Sequence, residues 1–162
     1  MGKKEFGDVV NAHQGGQAIE DFHKEQIHEW RELLQQLIRT IQQILEPEIS
    51  EEKINISSYQ VRLQEAALGV YTVDSIHIDV GNTRVTLEPL GTMFIGTKGR
   101  VLMRGPKGSV DFMLLRKEES RDKEDIGPED WVWILWHEPY VSDPVAVTPE
   151  NLHEALTKVL DG

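Results

Sequence analysis

The sequence contains no cysteine among its 162 residues. Disulfide bonds, thiolate chemistry and cysteine-ligated metal or iron–sulfur sites are therefore excluded, and the absence suits a reducing compartment. The chain also lacks any run of eighteen apolar residues, so no transmembrane helix is expected. The first residues, Met1 to Gly7, include lysines but no apolar run follows them, which argues against a signal peptide. We therefore expect a cytoplasmic protein with no membrane association.

Recognisable catalytic and cofactor motifs are missing as well. The patterns Gly-x-Ser-x-Gly, His-Glu-x-x-His and Gly-x-Gly-x-x-Gly do not occur. Two Glu-x-x-His pairs, Glu20 with His23 and Glu25 with His28, have the spacing of di-iron helical bundles, where such pairs come from facing helices. Here both lie on one predicted helix and point in different directions. The sequence thus predicts no metal, no cofactor and no catalytic residue.

Charge is abundant but unevenly distributed. The net charge is −11, yet the segment from Arg84 to Lys117 contains seven basic residues and only two acidic ones. The remainder of the chain is correspondingly more acidic. An overall charge of this sign opposes binding to nucleic acid and favours a basic partner.

Helical periodicity is strongest near the N-terminus. Residues 1–16 have no apolar period and end in Gly15-Gly16, so we interpret them as a flexible arm before a single domain, 17–162. Apolar residues then recur every three or four positions from Gln17 to Glu46, where Pro47 is expected to end the helix. Thr148-Pro149-Glu150 begins a second helix at the C-terminus, with a hydroxyl at the N-cap and proline in the first turn.

Between the helices the apolar period becomes two, which is typical of strands. A first strand starts at Ile54 with a predicted bulge at Ser57-Ser58, and hairpins are predicted over 70–88 and 99–116. Short apolar strands are predicted at 93–95 and 131–136, the latter doubly covered and central, and 117–130 is predicted to be a mobile loop. The fold class is therefore α+β: a long N-terminal helix packed on a curved antiparallel meander of six or seven strands, with a C-terminal helix.

The favoured functional hypothesis is a non-enzymatic protein-interaction module. The N-terminal half of the long helix should overhang the sheet. It carries a sparse apolar stripe on an otherwise charged surface, formed by Ile19, Phe22, Ile27 and Trp30. The predicted partner-binding residues are Phe22, Ile27 and Trp30. We expect this stripe to bind a protein partner or a second copy of the chain. An accessory or adaptor subunit, or a small acidic protein that neutralises a basic one, would fit.

Two alternatives remain open. The basic hairpin contains four candidate anion-binding residues: Lys98, Arg100, Arg104 and Lys107. They could bind a nucleic acid or another anionic ligand, pair with acidic residues of the same chain, or contact a protein. A nucleic acid is the less expected partner, because no aromatic side chains alternate with these cations. The second alternative is an enzyme that uses His77, Asp79 and His137. The three tryptophans of 131–136 favour a place in the core over an aromatic binding surface.

Overall fold

A computed structural model describes residues 6–92, 98–139 and 141–162, and the side chains of these ranges from Ile19 onward. The chain runs from helix to sheet to helix, as the periodicity predicts. The helices are α1 (Phe6–Ile44), α2 (Glu46–Ser50) and α3 (Pro149–Asp161), with 3₁₀ turns at Glu118–Ser120 and Pro128–Asp130. The strands are β1 (Ile54–Glu65), β2 (Gly69–Val80), β3 (Thr83–Gly91), β4 (Arg100–Gly105), β5 (Gly108–Arg116), β6 (Trp131–Trp136) and β7 (Val145–Ala146).

The seven described strands form one open antiparallel sheet in sequence order. Each strand pairs with the next along the chain, and the two predicted hairpins are confirmed. The predicted α+β class and meander are therefore correct. Every connection except that between β5 and β6 is shorter than the dozen or more residues that a parallel crossover requires.

The sheet is split between β2 and β3. Only four residue pairs join these two strands, from His77 to Val80 on β2. The part of β2 before His77 therefore pairs with β1 but not with β3. Helix α1 lies beside the free edge of β2, where the Arg31 guanidinium donates to the carbonyl of Thr72 at 2.7 and 3.0 Å. Hydroxyls of Tyr59 and Ser75 bridge the split by donating to the Leu87 carbonyl.

The sheet curves around the buried half of α1. While Arg31 contacts β2, the Leu33 carbonyl accepts a hydrogen bond of 2.8 Å from the Trp133 indole on β6. In a flat sheet β2 and β6 would be about 19 Å apart at 4.8 Å per strand. The contact of one helix with both strands fits a sheet that bends around it. The core follows this contact and includes residues of α1 and the position after it, with residues from the sheet: Trp30, Leu33, Leu34, Leu37, Ile38, Ile41 and Leu45, and Val85, Leu87, Val101, Met103, Val110, Phe112, Leu114 and Leu135.

Helix α3 packs on β3, β4 and β5. The Thr148 hydroxyl accepts from the Asn151 backbone N–H at 3.1 Å, which confirms the predicted N-cap. The side of α3 that faces the sheet buries Leu152, Ala155 and Val159. At Gly105 on β4 a Cβ would collide with the Val159 carbonyl oxygen, so the glycine permits direct contact between the helix backbone and the strand.

Both ends of the first helix differ from the prediction. Helix α1 begins at Phe6, not Gln17, and continues through Gly15-Gly16. Each glycine lowers helix stability by only about 1 kcal/mol relative to alanine, which a long helix can tolerate. At the other end α1 stops at Ile44, and Pro47 lies in the first turn of α2. Proline is tolerated there because a backbone N–H in the first turn has no partner within the helix.

Several strand predictions also need correction. Strand β1 pairs with β2 over twelve consecutive positions without the predicted bulge at Ser57-Ser58. Strand β6 is not central: it is next to the edge, its neighbour β7 has two residues, and Val132 is 40% exposed. The predicted strand 93–95 lies outside the described residues.

No helix within the described ranges combines the length and the apolar character needed to cross a membrane.

Candidate functional site

The first half of α1 projects beyond the sheet. At 1.5 Å per residue its 39 residues span about 58 Å, well beyond the length of any strand. Ile19 lies within about 20° of Trp30 around the helix axis at 100° per residue, so both belong to one apolar stripe. Trp30 is 0% exposed and Ile19 is 59% exposed. The sheet therefore covers the stripe at Trp30 and no longer covers it at Ile19.

Among the side chains that the structure describes on the overhang, Phe22 is the largest exposed apolar one. Its accessibility is 57%, and its ring contacts only His23 among described aromatic neighbours, at 6.2 Å between centroids. Around it, residues 19–28 contain three carboxylates, at positions 20, 21 and 25, and one ammonium group, Lys24. From Ile19 onward, the surface of the overhang is therefore an apolar pair, Ile19 and Phe22, surrounded by mostly acidic residues.

The two other predicted docking residues lie elsewhere. Ile27 is partly buried and packs against the core. Trp30 is fully buried, 6.0 Å from the Trp133 ring, and a Cβ on Gly99 would lie 2.5 Å from its Cζ3. The assignment of Trp30 to a docking surface is therefore wrong: the stripe reaches the sheet one turn earlier than predicted. Ile19, the first residue of the predicted stripe, is exposed instead.

Three of the four predicted anion-binding cations lie close to carboxylates of their own chain. Lys98 lies 3.4 Å from Glu29 of α1 and 5.4 Å from the centroid of the Trp131 ring. Arg100 pairs with the buried Asp111.

The two cations nearer the β4–β5 turn are more accessible. Arg104 lies 3.2 Å from Glu88, and both side chains are exposed enough for solvent to screen the pair. Lys107 is exposed, and its backbone N–H donates to the Val159 carbonyl at 2.9 Å. This arrangement fits the interpretation that the basic segment balances acidic residues within the chain, and an added anion would have to displace them.

The two candidate catalytic residues of β2, His77 and Asp79, contact different partners. The His77 ring stacks on Tyr59 at 4.1 Å between centroids, its Nδ1 is 3.2 Å from the Thr86 hydroxyl, and burial lowers its pKa. Asp79 accepts two hydrogen bonds from Arg84, at 2.8 and 3.2 Å, which lower the pKa of its carboxyl.

These residues are not gathered with the third candidate, His137, which follows the far strand β6. No cluster of three or more His, Asp and Glu side chains able to hold a metal occurs in the part of the chain that the structure describes. The proposed trio His77, Asp79 and His137 therefore does not form a metal-binding set.

Sequence reasoning missed a polar groove beside α1. A cavity of about 650 Å³ lies between the exposed side of this helix and the 3₁₀ turn at Pro128–Asp130. Its lining includes His28, Arg31, Gln35, Arg39 and Glu129. On the sequence these residues resemble any solvated helix face, and only the approach of the distant 3₁₀ turn makes them a groove.

The segment 117–130, predicted to be mobile, is organised around one carboxylate. Asp130 is 2% exposed and accepts from the Ser120 hydroxyl at 2.5 Å, the Gly127 backbone N–H at 2.8 Å and the Lys123 ammonium at 2.9 Å. These hydrogen bonds, with that of Ser120 the largest cause, hold the pKa of Asp130 far below its usual value. The 3₁₀ turn that borders the groove is thus tied to the rest of the segment.

Comparison with known proteins adds no assignment: no protein-family model, curated protein or solved structure matches this chain.

Proposed function

We propose that this protein is a non-enzymatic interaction module whose overhanging helix binds a basic partner protein. The observation that carries the proposal is the exposure of Ile19 and Phe22, on the part of α1 beyond the sheet. Large apolar side chains grouped on a charged surface are typical of protein-binding sites. Their acidic surround favours a partner rich in lysine and arginine, because opposite charges steer association.

Recognition would follow the helix-in-groove mode. An amphipathic helix presents side chains at i and i+3 to an apolar groove, as Ile19 and Phe22 do by spacing, while rim charges set the orientation. The partner should therefore offer a shallow apolar groove bordered by basic residues. Such a role agrees with an accessory subunit or with an acidic protein that neutralises a basic one.

The test is affinity capture with the double substitution Ile19→Ser and Phe22→Ser, followed by identification of the bound protein. We expect the wild-type chain to retain a basic protein in stoichiometric amount. The amount retained by the double variant should be at least tenfold lower. The matched control is Val141→Ser, which removes a side chain that is 81% exposed and lies outside the helix. A partner retained equally by the double variant, or one that is not basic, contradicts the proposal.

A further inference from the structure

The two edges of the sheet differ in how they are protected. Edge strand β7 has two residues and stands between Pro144 and Pro149, so it offers almost no backbone for pairing. Edge strand β1 has twelve residues, pairs in an unbroken register with β2, and contains no proline, glycine or lysine. Proteins normally block a long edge with such residues or with bulges, because a free edge is a template for another strand.

The outward-pointing groups of β1 follow from the register. Gly81-Asn82 joins β2 to β3 as a two-residue turn, so the closing pair Val80 and Thr83 exchanges hydrogen bonds within that hairpin. Backbone groups alternate in direction along a strand, so Asp79 bonds instead to its partner Asn55 on β1. The even-numbered residues of β1 consequently direct their N–H and C=O groups away from the sheet: Ile54, Ile56, Ser58, Gln60, Arg62 and Gln64.

Nothing in the described ranges occupies this edge. Helix α1 lies on the opposite side of the hairpin, where Arg31 reaches Thr72 on β2. Helix α2 contacts β1, but no turn, cap or loop hydrogen bond between described backbone groups involves residues 54–65. Among the residues that the structure describes, the outward backbone groups of β1 therefore have no strand or helix paired with them.

We propose that β1 pairs antiparallel with β1 of a second copy, across a twofold axis near Tyr59 and Gln60, so that the two sheets become one. An edge strand is self-complementary in this arrangement, since the same patch serves both subunits. Charge favours a second copy here: β1 contains one cation and one anion, Arg62 and Glu65, and is neutral although the whole chain is at −11. An axis near the middle of the strand keeps Arg62 away from its own copy, because Arg62 would face itself only if the axis passed through it.

The first test is the mass of the native protein at tens of micromolar, by analytical ultracentrifugation. We expect about twice the 18.5 kDa of one chain. Amide hydrogen exchange then locates the contact: the N–H groups of Ile56, Ser58 and Gln60 should be protected in the dimer and exchange at least tenfold faster on dilution. A monomer at this concentration, or a dimer in which these amides exchange freely, overturns the proposal.

The second test is the double substitution Ser58→Lys and Gln60→Lys. Whether the axis passes through residue 59 or residue 60, it places lysine opposite lysine, so the mass should fall to that of one chain. Gln42→Lys with Gln43→Lys makes the same charge change on the exposed side of α1 and should leave the dimer intact. A dimer that survives the β1 substitutions overturns the proposal.

A third variant distinguishes loss of the dimer from loss of the fold. Gln60→Pro removes one outward N–H that the monomer does not use, and prolines are tolerated on strand edges. We expect a monomer with an unchanged circular dichroism spectrum. The variant Ile19→Ser with Phe22→Ser should remain dimeric, which separates this interface from the proposed docking helix. Dissociation caused by the helix variant alone would place the dimer contact on α1 and overturn the β1 assignment.

Discussion

At the scale of single residues, neighbours on β6 have opposite environments. Trp133 is 7% exposed, contacts Trp30 and donates its indole N–H to Leu33, whereas Val132 points away and is 40% exposed. Alternation along a strand explains the contrast, because successive side chains lie on opposite faces. Sequence reasoning treated both residues as core, since a continuous apolar run does not reveal which face is covered.

Truncation should separate these two residues. We expect Trp133→Ala to lower the free energy of unfolding by about 3–5 kcal/mol, through the cavity left by the indole. Val132→Ala is the matched control and should lower it by less than about 1 kcal/mol, as is usual for exposed positions. Equilibrium denaturation in urea measures both, and equal losses would contradict the described packing.

The carboxylate of Asp130 gives a prediction about pH. Because its folded-state pKa is far below the value of about 3.9 in an unfolded chain, its hydrogen bonds stabilise the fold fully above pH 4. This stabilisation declines as the pH falls below 4 toward the folded pKa. Asp130→Asn should therefore be less stable than wild type at pH 7, and the gap should narrow below pH 4.

Thermal melts over this pH range test the prediction for Asp130. Glu119→Gln, which removes an exposed carboxylate of the same segment, is the control for the loss of one negative charge. If the gap for Asp130→Asn has the same size at pH 3 and pH 7, the carboxylate does not organise the segment.

At the scale of elements, α3 and β4 touch backbone to backbone at Gly105. A methyl group there would press on the Val159 carbonyl, and the strand and helix cannot both keep their positions. We expect Gly105→Ala to lower the free energy of unfolding by about 1–3 kcal/mol, as overpacking usually does. Pro106→Ala, at the exposed neighbouring position, is the control. An unchanged urea midpoint for Gly105→Ala would show that α3 moves freely on the sheet.

The order of these elements could be predicted from the sequence, and their mutual contacts could not. Period-two alternation defined the hairpins, and Thr148-Pro149 defined the start of α3. The split between β2 and β3 depends on where α1 lies, which no local pattern encodes. For the same reason the sequence assigned Trp30 to a surface: its stripe looks identical on the covered and uncovered halves of the helix.

The candidate site was predictable to a similar degree. Exposure of Phe22 agrees with the predicted overhang, and the charge asymmetry was visible from composition. The pairing of Lys98 with Glu29 joins residues far apart in sequence, so it required the fold. The open edge of β1 also required it, because a strand is an edge only by its place in the sheet order.

At the scale of the whole molecule, the balance of charge gives a prediction about nucleic acid. The net charge of the chain is −11, and three of its candidate anion-binding cations lie close to carboxylates of the same chain. We expect no mobility shift of single-stranded or duplex DNA, or of RNA, at low salt, where phosphate contacts are strongest. Binding at low salt that Arg100→Ala with Arg104→Ala abolishes would instead support the basic hairpin as an anion site.

The hydrogen bond between Leu33 and Trp133 joins residues 100 positions apart, whereas the meander is built from local pairings. During synthesis at 5–20 residues per second, the apolar side of α1 leaves the ribosome roughly 5–20 seconds before the strand that covers it. Over that interval the strand pairs from β1 to β5 can form in the order of their emergence. Until β6 arrives, the nascent α1 lacks the indole of Trp133 that contacts Trp30 and bonds to Leu33. Helix α3, which completes the core on β3, β4 and β5, follows later still.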